Sequence, residues 1–158
     1  MHQYGTVALG GTFDIIHKGH DALLSKAFSV SSHCIIGLTS DKLALKKNKK
    51  IINNYSKRFE ALTNLIEKKF PNSSYTISKL ENDFGPAAIE GKVDALIVSE
   101  ETSNKGEILN NLRKKQNLTP VEIVIVPMIL AKDGTRISST RIKNLEIDAD
   151  GNLSWFDK

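Results

Sequence analysis

The chain has 158 residues and a formal net charge of +4, because 22 Lys and Arg stand against 18 Asp and Glu. This length suits one domain, and 40% hydrophobic with 25% charged residues excludes a disordered, collagen-like or low-complexity protein. The single cysteine, Cys34, excludes an internal disulfide and a zinc site built on several cysteines, so we expect a reducing compartment.

Apolar runs separated by glycine, proline and polar turns predict an alternation of strands and helices. A first strand at 6–9 ends at Gly10 and Gly11, and apolar residues at helical spacing predict a helix over 18–28. The other strands are predicted at 33–39, 75–80, 95–98 and 121–126, the other helices at 55–69 and 105–116, and a short helix or turn at 83–88. Nearly continuous apolar strands are typical of parallel sheets covered on both faces. We therefore predict an α/β fold, a Rossmann-like doubly wound sheet of about five parallel strands with helices on both faces.

The charge is distributed unevenly along the chain. Four acidic residues and one lysine give residues 145–158 a net charge of −3, so the rest of the chain carries +7. No repeat or linker is visible, and we predict a single domain over 1–158 in which 145–158 form an acidic tail that docks through Trp155 and Phe156.

The basic excess favours a small polyanionic ligand, such as a nucleotide. The lysine-rich stretches at 42–50 and 113–115 lack interleaved aromatic residues, which makes a nucleic-acid surface the weaker interpretation. No stretch approaches the ~18 apolar residues of a membrane span, and no export signal precedes the first strand. We therefore expect a cytoplasmic protein that binds neither nucleic acid nor membrane, while the sequence carries no signal for its oligomeric state.

The first motif that carries chemistry lies between the first strand and the first helix. It reads Gly10-Gly11-Thr12-Phe13-Asp14-Ile15-Ile16-His17-Lys18-Gly19-His20. Ligands of open α/β sheets bind at the carboxyl ends of the strands, where glycine lets the backbone approach a phosphate. His17 and His20 share one face of a helix and can donate to one anion, whereas no familiar zinc-ligand spacing surrounds them. Asp14 could be the N-cap of this helix.

The second motif is Ile137-Ser138-Ser139-Thr140-Arg141, which follows the fifth strand and a Lys-Asp-Gly turn. Three consecutive hydroxyl residues that open a helix offer a cap and backbone N–H groups. On its own the motif predicts only an N-cap. Together with the first motif it predicts two helix starts at one sheet edge, as the binding of a triphosphate requires.

These two motifs, in this order, resemble the HxGH and ISSTR signatures of the nucleotidyltransferase superfamily. The segments between them resemble the archaeal-type phosphopantetheine adenylyltransferases, which are related to a domain of the eukaryotic coenzyme A synthase, over roughly residues 5–151. The supporting segments are 37–41, the Tyr55-x-x-Arg58 pair, 85–87, 98–102 and 132–134. The resemblance implies reversible transfer of an adenylyl group from ATP, accompanied by Mg²⁺, to 4′-phosphopantetheine, which gives dephospho-coenzyme A and pyrophosphate in coenzyme A biosynthesis.

The resemblance also implies roles for individual residues. His20 would contact the α-phosphate, His17 would hold the phosphates, and either Lys49 or Lys50, with Lys50 preferred, would bridge the two substrates as a third catalytic residue. The other ATP-binding residues would be Gly10, Gly11, Thr12, Phe13, Ser99, Glu100, Ser138, Ser139, Thr140 and Arg141. The acceptor would contact Thr12, Thr39, Lys49, Lys50 and Arg58, although Arg58 could equally be a structural residue. No protein metal ligand is predicted.

One departure from the family pattern bears on the acceptor. Relatives often carry Asp-x-Tyr-Gly-Pro where this chain has Asn82-Asp83-Phe84-Gly85-Pro86, so a hydroxyl is missing, which would alter acceptor binding if that hydroxyl touches the pantetheine arm.

Other functions stay open. Another adenylyltransferase of the superfamily, such as an FMN adenylyltransferase, or a cytidylyltransferase is the nearest alternative, although the cytidylyl group typically carries Arg-Thr-x-Gly-Ile-Ser-Thr-Thr. A non-catalytic nucleotide-binding module is the alternative from another class.

Overall fold

Five parallel strands form one sheet in the computed structural model, which describes residues 3–85, 88–89 and 91–153. The strands are β1 (Tyr4–Gly11), β2 (Ser31–Thr39), β3 (Tyr75–Leu80), β4 (Ala95–Ser99) and β5 (Glu122–Val126). Their spatial order is β3-β2-β1-β4-β5, and every neighbouring pair is parallel. The predicted sheet is therefore confirmed. Because the order reverses at β1, a crevice is expected at the carboxyl ends of β1 and β4.

Helices connect the strands and begin at polar caps. They are α1 (Lys18–Val30), α2 (Asp41–Lys46), α3 (Tyr55–Lys69), α4 (Asn104–Lys115) and α5 (Ser139–Lys143), with a 3-10 turn at Glu100–Thr102. The predicted helices match α1, α3 and α4 to within two residues at each end. The short α2 was not predicted, because six residues next to a lysine run carry little periodicity, but Ser40 caps it by accepting from the Leu43 amide. Within the described ranges, no helix is long and apolar enough to cross a membrane.

Alternate residues of each central strand belong to different core layers. Val7 and Leu9 of β1 pack with residues of α1 and α3, whereas Ala8 between them packs with Leu109 of α4. Successive side chains of a strand point to opposite faces, so the sheet buries both faces under helices. This arrangement confirms the doubly wound architecture.

The described part of the acidic tail folds back onto the domain. Ile147 is 2% exposed and joins Ala131 and Ile137 in a small apolar cluster. The Lys18 amide, at the start of α1, donates to the Ala149 carbonyl at 3.2 Å. Residues 145–153 therefore support the first turn of α1. The predicted docking of Trp155 and Phe156 lies outside the described residues, as do Pro86 and Ala87 of the predicted turn at 83–88.

The contact between α4 and β5 depends on a glycine. A Cβ atom on Gly106 would lie 2.3 Å from Cδ1 of Ile123. We expect Gly106→Ala to lower the free energy of unfolding by about 1–3 kcal/mol, because overpacking outweighs the gain in helix propensity. Urea unfolding monitored by circular dichroism measures this change. Asn111→Ala, on the exposed side of the same helix, is the matched control and should not destabilise the fold. An unchanged or raised stability of Gly106→Ala would contradict the close packing.

Candidate active site

Two adjoining cavities open at the carboxyl ends of the strands. The larger, of ≈ 830 Å³, lies between the first motif, β4, the loop after β5 and the start of α5. The smaller, of ≈ 100 Å³, lies between the ends of β1, β2, β3 and β4 and the first turn of α4. Lys49, Ser99 and Thr102 line both cavities. Two ligands bound side by side would therefore meet at these residues.

The histidine pair is fixed by the backbone at the start of α1. His17 is the N-cap residue, and its Nδ1 accepts from the Gly19 amide at 3.0 Å. Nδ1 of His20 accepts from the His17 amide at 3.2 Å. The two rings stack with centroids 3.8 Å apart, and the buried Phe13 ring lies 4.7 Å from His20. A Cβ atom on Gly19 would lie 2.8 Å from Cε1 of His17, which explains the glycine between the histidines.

Burial and these hydrogen bonds determine the protonation state and the tautomer of both imidazoles. Burial lowers the pKa of His17 from 6.5 to about 4, and burial together with the neighbouring His17 lowers the pKa of His20 to about 3. Both rings are therefore neutral at pH 7. Since each Nδ1 accepts a hydrogen bond, the proton lies on Nε2. The pair thus presents two neutral N–H donors on the wall of the larger cavity.

The predicted N-cap role of Asp14 is wrong, because His17 caps α1. The Asp14 carboxylate instead accepts from the amides of Ile52 and Asn53 and forms an ion pair with Lys143. Burial opposes its ionisation, but these hydrogen bonds outweigh the burial and lower the Asp14 pKa. Asp14 therefore ties the loop that carries Lys49 and Lys50 to α5.

The second motif forms the opposite wall of the larger cavity. Ser138 caps α5 by accepting from the Arg141 amide at 3.2 Å, and the Ser139 hydroxyl donates to the Ile15 carbonyl at 3.1 Å. Ser138, Ser139 and Thr140 all line the cavity. The two motifs, 124 residues apart at the Ser139–Ile15 contact, thus face one space.

Most predicted site residues lie on one of the cavities. Gly10, Gly11 and Thr39 line the smaller one; Thr12, Phe13, His17, His20 and Lys50 line the larger one with the second motif. Glu100 lines neither, and its carboxylate accepts from the Met128 amide at 2.9 Å. This contact joins the ends of β4 and β5, so Glu100 supports the cavity rather than facing it.

The structure distinguishes the two candidate lysines. Nζ of Lys49 donates to the Thr12 hydroxyl at 3.0 Å, where the two cavities meet. Lys50 lines only the larger cavity, and its carbonyl accepts from Nζ of Lys143 at 2.7 Å. The structure therefore brings Lys49, and not the preferred Lys50, to the junction of the two cavities.

Arg58 is completely buried and lines neither cavity, which favours the structural alternative over a direct contact with the acceptor. Its guanidinium donates to the carbonyls of Thr12 and Thr39 at 2.9 and 2.7 Å. It also donates to the Asn53 carbonyl and forms an ion pair with Asp41. Arg58 therefore positions the strand ends that form the site.

Arg141, which was predicted as an ATP ligand, is engaged by protein groups and is absent from both cavity linings. Its guanidinium forms ion pairs with Asp133 and Glu146 and donates to the Thr135 and Arg136 carbonyls, and it lines neither cavity. Its place in the motif predicted a phosphate contact, but the turn before the motif folds back and surrounds the guanidinium. Arg141 holds this turn against α5.

Sequence reasoning missed several cationic residues of the site. Arg136 and Lys143 line the larger cavity, whereas Lys47 and Lys105 line the smaller one. The signal available for Lys105 and Arg136 was their position: Lys105 lies shortly after the end of β4, and Arg136 directly precedes the second motif. Arg136 forms an ion pair with Glu101.

The fold is that of a Rossmann-like nucleotidyltransferase, and the model of the cytidylyltransferase-like family matches residues 8–145. The phosphopantetheine adenylyltransferase of Methanosarcina acetivorans is 41% identical over 149 residues, which cover 93% of this chain and 94% of that protein. The phosphopantetheine adenylyltransferase of Pyrococcus furiosus is 40% identical over 152 residues, which cover 95% of this chain and 94% of that protein. The chain belongs to the phosphopantetheine adenylyltransferase family.

Solved structures agree with the fold. A protein of unknown function from Archaeoglobus fulgidus has a TM-score of 0.70 and 29% identity, covering 77% of this chain and 88% of its own. The pantoate-beta-alanine ligase of Francisella tularensis has a TM-score of 0.55 at 16% identity, and the match covers 91% of this chain and 66% of that chain. At this identity the similarity concerns the fold alone.

The lowered pKa values predict that neither cavity histidine of the free protein titrates between pH 5.5 and 8. The free energy of unfolding should fall as the pH drops from about 6.5 to about 4. In this range the imidazoles are protonated in the unfolded chain, whereas the buried rings of the folded protein stay neutral. Long-range ¹H–¹⁵N spectra, assigned with His17→Gln and His20→Gln, measure both the titration and the Nε2–H tautomer. A midpoint above pH 6 for either ring would contradict the neutral pair.

Proposed function

We propose that the protein transfers the adenylyl group of ATP to 4′-phosphopantetheine, which gives dephospho-coenzyme A and pyrophosphate. The observation that carries this proposal is the pair of cavities that meet at Lys49, with the neutral histidines on the larger one. The names of the relatives support the choice of both substrates.

The larger cavity suits ATP. The two histidines and the hydroxyl residues 138–140 offer N–H and O–H donors for phosphate oxygens, and Arg136 and Lys143 add cationic donors that Glu101 and Asp14 already pair in the free protein. Val126, Met128 and Ile129 supply an apolar wall for the base. The smaller cavity is narrow and mostly apolar, with lysines on its wall, which suits a thin chain that ends in a phosphate.

The reaction needs no protein nucleophile. An oxygen of the acceptor phosphate attacks the α-phosphorus of ATP, a new P–O bond forms, and the bond to the bridging oxygen breaks so that pyrophosphate leaves. Catalysis then consists of positioning two anions and stabilising charge on the transferred group. In this reaction Lys49 would contact both phosphates, and a neutral His20 would donate from Nε2 without giving up a proton.

Mg²⁺ would enter with the nucleotide rather than occupy a site built by the protein. Among residues 3–85, 88–89 and 91–153 no group of three or more His, Cys, Asp or Glu could hold a metal. The two carboxylates on the larger cavity, Asp14 and Glu101, each form an ion pair with a basic residue. The ion would neutralise part of the triphosphate charge, while the groups described above orient it.

A pyrophosphate-release assay tests the proposed reaction. We expect turnover with ATP and 4′-phosphopantetheine, and little or none when CTP replaces ATP or when FMN, glycerol 3-phosphate or nicotinamide mononucleotide replaces the acceptor. Turnover confined to FMN would overturn the assignment of 4′-phosphopantetheine as the acceptor but would leave the adenylyl-transfer mechanism standing. Tight ATP binding without turnover on any acceptor would favour a binding module instead.

The positions of the two candidate lysines predict a contrast between single variants. Lys49→Ala should lower kcat by about 100-fold or more, since it removes a cation from the junction of the two cavities, where the two phosphates would react. Lys50→Ala is the matched control and should stay close to the wild-type rate. The contact of residue 50 with Lys143 uses the backbone carbonyl, which the substitution retains. Steady-state kinetics with both substrates saturating measure kcat. Equal losses in the two variants would contradict the assignment.

A further inference from the structure

Lys105 has no part in either sequence motif, yet it reaches the smaller cavity. It lies in the first turn of the 12-residue helix α4 and is half-buried. It lines the smaller cavity together with Lys49, Ser99 and Thr102, and these three also line the larger one. Lys105 therefore faces the acceptor side of the junction between the cavities.

The described lining of the smaller cavity holds more positive than negative charge. Among residues 3–85, 88–89 and 91–153, three lysines line it, Lys47, Lys49 and Lys105, against one carboxylate, Asp83, which forms an ion pair with Lys47. Burial lowers the pKa of Lys49 and of Lys105. Lys105 further lowers the pKa of Lys49, and Lys47 lowers the pKa of both, whereas the Asp83 carboxylate acts on both in the opposite direction without reversing the shift. Two ammonium groups that repel each other in a partly dehydrated cavity are stabilised by an anion bound between them.

We propose that Lys105, together with Lys49, binds the phosphate of the acceptor and so selects a phosphorylated acceptor over its unphosphorylated form. This inference rests on the proposed function. A phosphate dianion placed between the two ammonium groups would compensate both charges, with charge-assisted hydrogen bonds to each. Lys49 would face the ATP side of that phosphate, while Lys105, absent from the larger cavity, would hold it from the acceptor side. Lys47 is already compensated by Asp83 and is not assigned this role.

The position of Lys105 makes it a specificity determinant rather than a general phosphate ligand. Lys105 lines the smaller cavity and not the larger one, so its removal should weaken acceptor binding and leave ATP binding unchanged. Its effect should depend on the acceptor phosphate itself, because the ammonium group has no such partner in unphosphorylated pantetheine.

Calorimetric titration of the full chain with 4′-phosphopantetheine and with pantetheine tests this inference. The wild type should prefer the phosphorylated ligand, and Lys105→Gln should reduce that preference about 10- to 100-fold through the loss of a charge-assisted contact. Lys105→Arg should retain most of the preference. Lys114→Gln, an exposed lysine of the same helix, is the matched control and should leave it unchanged.

The outcomes separate the two proposals. Turnover of 4′-phosphopantetheine by the wild type, with the same ligand preference in Lys105→Gln, would overturn the role of Lys105 alone. A wild type that neither binds nor adenylylates 4′-phosphopantetheine would overturn the proposed function and this inference with it. A weakened ATP affinity in Lys105→Gln equal to the loss for the acceptor would contradict the assignment to the acceptor side.

Discussion

The site depends on one buried guanidinium. Arg58 joins the residue after β1, the last residue of β2, the loop before α3 and the start of α2 through Thr12, Thr39, Asn53 and Asp41. Carbonyl groups at the ends of parallel strands have no partners in the sheet, and an unpaired buried carbonyl is costly. Arg58 satisfies two of them with one side chain. The positions of Thr12, Thr39 and the Lys49 loop relative to one another follow from this contact.

A second constraint concerns proton position. The backbone amides of His17 and Gly19 donate to the Nδ1 atoms of the pair, so the same turn that starts α1 also selects the Nε2–H form of each ring. A charged imidazolium would require one of these acceptors to become a donor. Positive charge at the cavities therefore comes from lysines and Arg136, whereas the histidines offer directed, neutral hydrogen bonds, which suits a reaction without proton transfer.

Much of the fold and of the candidate site could be predicted from the sequence, because local sequence patterns determine these parts. Apolar periodicity gave the five strands and the long helices, and motif spacing placed both histidines and the hydroxyl residues 138–140 at one sheet edge. What could not be predicted depends on partners distant in the chain. Arg58 and Arg141 carry the residue type of a phosphate ligand, yet carbonyls and carboxylates of other segments surround them. Lys105 and Arg136 lie outside recognisable motifs, and only the meeting of strand ends brings them to the cavities.

The contact of the Lys18 amide with the Ala149 carbonyl, and that of Ser139 with Ile15, give the site a particular order of assembly. The histidine turn belongs to the first strand–helix unit, which has its own local contacts, whereas the opposite wall of the larger cavity comes from the last part of the domain. Contacts between segments so far apart in sequence carry a large loop-closure cost, which slows their formation. During synthesis, which proceeds from the N-terminus, the larger cavity stays incomplete until residues 136–144, which form its last wall, have emerged. Nucleotide binding then stabilises the finished domain rather than guiding its early folding.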